Sequence, residues 1–577
     1  ILLSSPSSQR VSVTVDTGDD TAVSGIDYIS TRSVVTFEPG QTEASIGIPI
    51  IGNNIYQASR GFNVSLSNAT GGVIDTSNSI RGGFIIDDDT PKDLILPNDP
   101  QYKYQWYLYN TRVGWAWQIA SGKGVKIGVF DQGIDNANPD LTANVSLSLG
   151  VKALGLTSGG LPILSTDNHG TMVAGVIAAA NNGKGIVGVA YDATLVPIYS
   201  NLSSSSTIST EIANAYAYAK TLDILNDSWG FGNYLISSAN WAFYDNAKST
   251  VFAPAFAALK KLADSGRNGL GTVVIQSSGN SFGYGDDTNL HNFQNSRYII
   301  TVASTDYFNS ISSFSTHGAS ILISAPGGSG IKNYNSIITT DRSGSLGLNN
   351  TDLTWTNGTS FSAPIVSGVV ALMLEVNKNL GYRDIQNILA YTAKQIETGE
   401  GNWVYNHSTD FNGGGLHYNT DQSTGFGQID ALAAVRLAAA WSFIPQTSSN
   451  VQETITSKSV KLIIPDNSPT AGLHSSIIVK DSIKIERVEV SINITHTYIG
   501  DLSIWIPSPT GTTSNLLWRP GAGKISANGS TQDNINFTFD TVLDWGELSN
   551  GVWTLGVYDN AALDVGIFDS WTLEIIG

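Results

Sequence analysis

The sequence NGTSFSAP, residues 357–364, sets one serine, Ser360, among small residues, and an apolar run with a helical pattern follows it over residues 364–373. A hydroxyl at the start of a buried helix lies beside unpaired backbone N–H groups and the positive end of the helix dipole. Negative charge developing on a substrate carbonyl would be stabilised there. The alternative is an ordinary capped helix, because serine is a favoured N-cap residue and proline suits the first turn.

Two further stretches supply an acid and a base. VKIGVFD, residues 125–131, has the pattern of a buried strand and ends in the carboxylate of Asp131, and DNHGT, residues 167–171, contains His169. Taken singly, the aspartate could be a turn residue and the histidine a structural one. The order Asp131, His169, Ser360 is that of the acid, base and nucleophile in subtilisin. Together with its flanks, the chain resembles the subtilisin-like serine proteases, and within them the kexin/furin branch.

The resemblance implies roles for two more stretches. VVIQSSGN, residues 273–280, resembles the strand that delivers an oxyanion donor in the family, so Asn280 is expected to act beside the Ser360 backbone N–H. Ser228, Trp229 and Gly230 match the extended segment that pairs with a substrate backbone by strand addition. Protein or peptide substrates are therefore the expected partners.

A calcium site is implied by the loop NNGKGIVGV, residues 181–189, because the equivalent loop of the family wraps a tightly held calcium ion. Oxygen ligands from carboxylate, amide and backbone groups are those that calcium prefers. A plain Asn-Gly turn is the alternative. Carried over from the family, the ligands are the side chains of Asp99, Asp140 and Asn182 and the carbonyls of Ala179, Lys184 and Ile186.

The first specificity pocket departs from the family pattern. Furin-like enzymes read a basic side chain with carboxylates, several of which also hold a second calcium. Here three of the acidic positions carry His291, Thr316 and Asn233, and a fourth acid that would meet a second basic residue is replaced by Gln132. Asp286, with its neighbour Asp287, keeps its charge. We expect no second calcium, no strict dibasic specificity, and a moderate preference for one basic residue; a broad preference for large apolar residues is the competing outcome.

The flanking segments read as β-structure. GIDY, TFEPGQT and DDD at residues 25–28, 36–42 and 87–89 resemble a Calx-β domain, and HTYIGDLSI, SPTGT and GVWTL at residues 496–504, 508–512 and 551–555 resemble a P domain. Between them, strand and helix patterns alternate, which predicts a mostly parallel sheet. The expected fold class is α/β: a subtilisin-like, mostly parallel sheet with helices on both faces, flanked by two all-β sandwich domains. The predicted domains are a Calx-β-like sandwich at 1–90, a catalytic domain at 91–444 and a P domain at 445–577.

Composition limits the partners. The 577 residues include 30 basic and 48 acidic side chains, a net charge of −18, and no cysteine. The negative charge argues against nucleic acid and anionic membranes, and the lack of cysteine excludes disulfides and thiol catalysis. No run reads as long and apolar enough to span a membrane. A monomer located outside the cytoplasm, extracellular or periplasmic, is expected.

A second class of function fits the same domains. Two β-sandwiches flanking a catalytically silent subtilase-like domain would make a binding or adhesion protein. The presence of Asp131, His169, Asn280 and Ser360 favours a calcium-dependent serine endopeptidase instead.

Overall fold

The computed structural model describes residues 1–53, 59–75, 79–87, 89, 96–202, 206–232, 241–330, 335–396, 402–408, 415–442 and 444–577. The chain forms two compact units. The smaller comprises Ile1–Leu94 with Leu432–Ile444, and the larger comprises Ile95–Ala431 with Pro445–Gly577. Residues 432–444, which the sequence prediction counts with the catalytic domain, thus belong to the smaller unit.

The smaller unit contains an antiparallel sheet in the order β2-β1-β3-β4. Its strands are β1 (Val11–Asp19), β2 (Arg32–Phe37), β3 (Arg60–Thr70) and β4 (Ile80–Ile85). Alternate residues Val11, Val13 and Val15 of β1 are buried with Phe37, as the period-two pattern of this segment requires.

The larger unit is built on an eight-stranded sheet in the order β12-β11-β10-β9-β5-β8-β6-β7. Its strands are β5 (Lys126–Asp131), β6 (Val151–Lys152), β7 (Thr157–Ser158), β8 (Thr194–Tyr199), β9 (Ile224–Asp227), β10 (Val273–Ser277), β11 (Ile299–Thr305) and β12 (Ile323–Pro326). All neighbouring strands run parallel except β6 and β7. Two short antiparallel pairs lie outside this sheet: β13 (Ile337–Thr340) with β14 (Leu353–Thr356), and β15 (Trp403–Tyr405) with β16 (His417–Asn419).

Helices cover both faces of the eight-stranded sheet. The helices of the larger unit are α1 (Trp106–Asn110), α2 (Val113–Ala116), α3 (His169–Ala178), α4 (Ile208–Ala219), α5 (Ala253–Ser265), α6 (Thr359–Val376) and α7 (Tyr382–Thr392), whereas α8 (Ala431–Ala440) lies almost entirely in the smaller unit. On one face, α4 and α5 share a core with the strands, and on the other α3 packs against α6, which also contacts β9 to β12. Parallel strands that are covered on both faces carry near-continuous apolar runs, such as residues 127–130 of β5 and 273–275 of β10.

The helix α6 is mostly buried. By length and composition alone it could cross a membrane, contrary to the expectation that no run would, but 83% of its apolar window is buried inside the protein. It was the only such helix among the residues described. Burial on this scale is typical of the core helix of an α/β domain.

The C-terminal part of the larger unit is a sandwich of two antiparallel sheets, β17-β24-β19-β22 and β18-β23-β20-β21. Its strands are β17 (Glu453–Ile464), β18 (Leu473–Val479), β19 (Arg487–His496), β20 (Leu502–Pro507), β21 (Thr513–Trp518), β22 (Ile535–Thr541), β23 (Gly551–Asp559) and β24 (Gly566–Ile576). Trp241 and Leu290, from the catalytic part of the chain, are buried in the same core as the sandwich residues Trp553 and Trp571. The predicted fold class is confirmed.

Candidate active site

The carboxyl ends of β5, β9 and β10 meet at one edge of the sheet because these strands are adjacent and parallel. Asp131 is the last residue of β5, Ser228 follows β9, and Asn280 lies just beyond β10. In open α/β sheets, ligands bind at this edge. The topology thus brings three distant segments of the sequence together.

Asp131 and His169 form a close pair. His169 is the first residue of α3, and its Nδ1 lies 2.8 Å from Asp131 Oδ2 and 3.0 Å from Oδ1. The carboxylate is fully buried, whereas 28% of the histidine side chain is exposed. The helix start approaches β5 so closely that a Cβ on Gly170 would lie 2.3 Å from the carbonyl oxygen of Gly133. Only glycine fits there.

The carboxylate sets the chemistry of the imidazole. Burial lowers the pKa of His169, but the negative charge of Asp131 and its hydrogen bond raise that pKa by more, so the net shift is upward. Since the carboxylate can only accept, His169 Nδ1 carries the proton and donates, which leaves Nε2 as the basic nitrogen. Gln132, at a position where an acid was expected, accepts the backbone N–H of His169 through its Oε1 at 3.3 Å.

Ser360 is the second residue of α6, which begins after Gly358 in a backbone conformation with φ of 143°. Pro364, the sixth residue rather than part of the first turn, has no N–H to donate to the Ser360 carbonyl four residues back. The hydroxyl of Ser228 donates to that carbonyl instead, at 2.9 Å. In return, the Ser360 hydroxyl donates to the Ser228 carbonyl at 3.1 Å. The two serines thereby fix the start of α6 against the end of β9.

Asn280 is held against the same helix. Its Oδ1 accepts the Thr359 N–H at 2.9 Å and the Thr359 hydroxyl at 3.0 Å, so its amide nitrogen points away from them. A Cβ on Gly358 would lie 3.5 Å from Asn280 Nδ2. The Ser360 N–H belongs to the first turn of α6 and has no partner four residues back. The Asn280 side chain is thus attached to Thr359, the residue before Ser360.

The segment from Ser228 to Gly230 has a buried anchor. Trp229 is 7% exposed, its ring packs on Phe130 and Phe293, and its carbonyl accepts a hydrogen bond from Gln276 Nε2 at 2.7 Å. The side chain is thus a core residue, and any contact with a substrate falls to the backbone on either side of it. Its pairing with a substrate strand stays a prediction.

The predicted pocket acid, Asp286, is already engaged. Its Oδ1 lies 3.0 Å from His291 Nε2, and its Oδ2 accepts the Thr316 hydroxyl at 3.1 Å. On the other side, His291 Nδ1 lies 3.3 Å from Asp245 Oδ1. Burial lowers the pKa of His291, but the charges of Asp286 and Asp245 and their hydrogen bonds raise it to about 10. The histidine and threonine at former acidic positions thus both pair with the remaining acid.

The other predicted pocket residues add little charge. Asp287 accepts the Asn289 N–H at 2.8 Å as the cap of a short turn, and burial raises the pKa of Asp287 to about 7. Asn233, the third substituted position, lies outside the described residues. Asp245 carries no motif and follows no recognisable strand pattern, so sequence analysis missed it.

The predicted calcium loop brings two carboxylates together. Asp99 and Asp140 are 3% and 1% exposed, and Asp99 Oδ1 accepts the Asn182 N–H at 3.2 Å while Asp140 Oδ2 accepts the Ile186 N–H at 2.9 Å. Burial raises the pKa of both acids, that of Asp140 to about 6, with a further upward contribution from the charge of Asp99. The Ala179 carbonyl accepts the Gly188 N–H at 2.8 Å.

These donors fit a calcium ion. Asp99 Oδ2 and Asp140 Oδ1 are buried and receive no hydrogen bond from the described part of the chain, so each is an oxygen without a partner. Hard oxygen donors of this kind are what calcium binds. The set has only two carboxylates, and no group of three or more His, Cys, Asp or Glu suited to a metal occurs within the described ranges. Any further ligands would come from amide and carbonyl oxygens.

Comparison with known proteins agrees with this geometry. Residues 122–427 match the model of the subtilase family, 485–575 that of the proprotein convertase P-domain, and 1–89 that of the Calx-beta domain. The chain belongs to the subtilase family. It is similar to the furin and kexin-type proprotein convertases.

Three relatives illustrate the extent of the match. This subtilase is 31% identical to furin-1 of Xenopus laevis over 80% of the chain and 56% of that protein. It is 30% identical to proprotein convertase subtilisin/kexin type 7 of Mus musculus over 84% and 62% of the two chains, and 30% identical to neuroendocrine convertase 2 of Homo sapiens over 84% and 74%. The subtilase thus spans under two thirds of the length of the first two.

A solved structure supports the fold. The serine protease of Aeromonas sobria, crystallised with a chaperone, superposes with a TM-score of 0.71 at 22% identity, over 84% of this subtilase and 96% of that chain. At this identity the match speaks for the fold alone.

Proposed function

We propose that this subtilase is a calcium-dependent serine endopeptidase with Ser360 as nucleophile, His169 as general base and acid, and Asp131 as the group that orients the imidazole. The observation that carries the proposal is the meeting of the Asp131–His169 pair with the start of α6. The rings of His169 and Phe361, the residue after the nucleophile, have centroids 5.7 Å apart. This nearness of His169 to the residue after Ser360 supports the proposal.

The reaction follows from these positions. A substrate strand pairs with the backbone around Ser228. An N–H of the substrate then donates to the Ser228 carbonyl in place of the Ser360 hydroxyl, which becomes free to react. His169 Nε2 then removes the proton from this hydroxyl as it attacks the scissile carbonyl, and later gives the proton to the leaving amine. The negative oxygen of the tetrahedral intermediate is met by Asn280 Nδ2 and the Ser360 N–H. Water hydrolyses the acyl-enzyme in a second, similar step.

A fluorophosphonate probe tests the proposal directly, because it phosphonylates only an activated serine. We expect one adduct, located by peptide mass spectrometry at Ser360, and none in the Ser360→Ala protein. Ser362→Ala, two residues along the same helix, is the matched control and should label normally. A folded wild-type protein that takes no label would favour the silent binding or adhesion protein.

Calcium is proposed as a structural ion. Asp99, Asp140 and Asn182, with the carbonyls of Ala179, Lys184 and Ile186, would hold it. The unpartnered oxygens of the two buried carboxylates support this set. The ion would supply positive charge that permits both acids to be ionised together.

The first pocket has two candidate specificities. A moderate preference for one basic residue before the scissile bond rests on the negative charge of Asp286. The engagement of both its oxygens favours the second candidate, large apolar residues. Comparing kcat/KM for matched peptides with Arg, Lys, Phe and Leu at that position decides. If Asp286 binds the substrate, Asp286→Asn removes the advantage of Arg; if it does not, the ratio of Arg to Phe stays unchanged.

The remaining proposals concern the oligomeric state and the cellular location of the protein. We expect a monomer that acts on protein or peptide substrates outside the cytoplasm, either secreted or periplasmic. Light scattering of the purified protein and fractionation of the producing cells test these two points.

A further inference from the structure

A second histidine lies behind the active-site edge of the sheet. His291 is 1% exposed, lies between Asp245 and Asp286, and stacks on the indole of Trp241 with ring centroids 5.8 Å apart and planes 9° from parallel. Trp241 is in turn buried with the core of the C-terminal sandwich. The group of His291, Asp245, Asp286 and Trp241, called the His291 array below, takes no part in the acid–base chemistry proposed for His169.

The hydrogen-bond geometry makes His291 a cation. A neutral imidazole has one donor nitrogen and one acceptor nitrogen, whereas a carboxylate can only accept. Since both nitrogens of His291 face carboxylate oxygens, both must carry protons. Its strongly raised pKa agrees. Without this cation, two acids that are nearly or fully buried would have no charged partner, which is costly in a protein interior.

The His291 array leads to the residues on either side of Asn280. The Thr316 hydroxyl, which donates to Asp286, also accepts the Ser281 N–H at 3.2 Å. The Thr316 N–H donates to the Gly279 carbonyl at 2.9 Å. Both neighbours of Asn280 are thus attached to Thr316, and Thr316 is attached through Asp286 to His291.

We propose that His291, acting through Asp286 and Thr316, is a positioning residue that holds Asn280 in register with the start of α6. The proposal rests on the proposed function, in which Asn280 donates to the oxyanion. Oxyanion donors need to be placed to within a few tenths of an ångström, because the stabilisation depends on fixed dipoles. The buried ion pair of His291 and Asp286 provides that placement, because it holds Thr316 and thereby the residues on both sides of Asn280. In this proposal Asp286 holds Thr316 in place and does not bind a cationic side chain of the substrate.

A double-mutant cycle on kcat tests this role. His291→Gln keeps a hydrogen-bond donor but removes the charge and one of the two donors. We expect kcat to fall by about 10- to 100-fold with KM nearly unchanged, since the complete loss of a donor such as Asn280 costs about 10²–10³. In an Asn280→Ala background the same change should cost less than about 3-fold, because the residue that it positions is gone. Equal losses in both backgrounds, or no loss in either, would overturn the proposal.

The control is another buried histidine. His496, in the C-terminal sandwich, is 1% exposed and pairs with one acid, Asp559, at 3.3 Å. His496→Gln removes a comparable partner from the same protein with no path to Asn280, so its kcat should match the wild type. A fall equal to that of His291→Gln would mean that any buried histidine has this effect, and would count against positioning.

A second pair of variants avoids the buried charges. Thr316→Val removes only the hydroxyl, and Thr316→Ser restores it. We expect the valine variant to lose kcat, non-additively with Asn280→Ala, and the serine variant to recover it to within about 3-fold. If Asn280→Ala itself leaves kcat unchanged, the oxyanion role in the proposed function is wrong; if it is costly but additive with the other changes, only the present inference is overturned.

Discussion

His169 and His291 are both held by aspartates, yet the two regions differ in the number of acids and in exposure to solvent. His169 meets one carboxylate and keeps 28% of its side chain exposed, at the open edge of the sheet. His291 meets two and keeps 1%, beneath the same edge. One aspartate and access to solvent leave an imidazole that can gain and lose a proton.

Two aspartates and complete burial fix the proton instead. Both histidines have a raised pKa, and that of His291 is raised to about 10, far from the range in which a base works. The same pair of residue types therefore supports a proposed catalytic base in one place and a proposed structural cation in the other. What decides is the number of carboxylates and the access to solvent.

The largest expected difference between the regions is in turnover. His169→Ala should lower kcat by on the order of 10⁶-fold, a figure that comes from subtilisin, because the triad acts as a unit. Ser360→Ala should cost about as much, and the double variant no more than either. Turnover of a peptide substrate by the purified variants measures this. Losses that add in the double variant, or near-normal turnover in either single one, would contradict a shared mechanism.

Replacing His291 should cost more stability than replacing His169, the reverse of the order expected for turnover. His291→Leu leaves Asp245 and Asp286 without their cation and should lower the free energy of unfolding by about 3–5 kcal/mol. His169→Leu is the matched comparison: it leaves one buried acid, Asp131, without its partner at a site where 28% of the histidine side chain is exposed, so it should cost less than His291→Leu. Denaturant unfolding in a Ser360→Ala background, which prevents self-digestion, gives both values. Equal costs at the two sites would break the comparison.

Removing calcium tests whether the two proposed ligand acids differ from the two acids that pair with His291. Asp245 and Asp286 have their own cation, whereas the proposed ligands Asp99 and Asp140 depend on a bound ion. At a calcium concentration of about 100 Kd the ion should add about 2.7 kcal/mol to the stability. Chelation should therefore lower Tm, and Asp140→Asn should lower it without chelator. The exposed acid Asp192, changed to Asn, is the control; a Tm indifferent to chelation would argue against the ion.

The smallest expected effect is on the pH profile. A protonated His169 cannot act as a base, so kcat/KM should fall as pH decreases through its pKa. Because Asp131 raises that pKa, the acid limb should lie above the ordinary value of 6.5. His291 stays charged over this range, so the limb should reflect a single proton. A slope of two, or a midpoint below 6.5, would mean that the roles of the two histidines are not separate.

Much of the fold could be predicted because its signals are local. Alternating apolar residues predict the strand β1, and the apolar run that ends at Asp131 predicts a buried strand with a carboxylate at its end. The order of Asp131, His169 and Ser360 predicts which residues meet, since the topology of the family brings them to one edge. The calcium loop was predicted from the resemblance of residues 181–189 to a loop of the family, and it stays a prediction.

The partners in the interior could not be predicted. The sequence by itself determined the residue types, the strand and helix periods and the chain order of the proposed triad. Only the tertiary structure decided that Asp245 would pair with His291, that the Ser228 hydroxyl would replace the hydrogen bond missing at Pro364, and that residues 432–444 would join the smaller unit. The reason is physical: periodicity is encoded in neighbouring residues, whereas a buried pair depends on which distant side chains the packed sheets and loops bring within about 3 Å of each other.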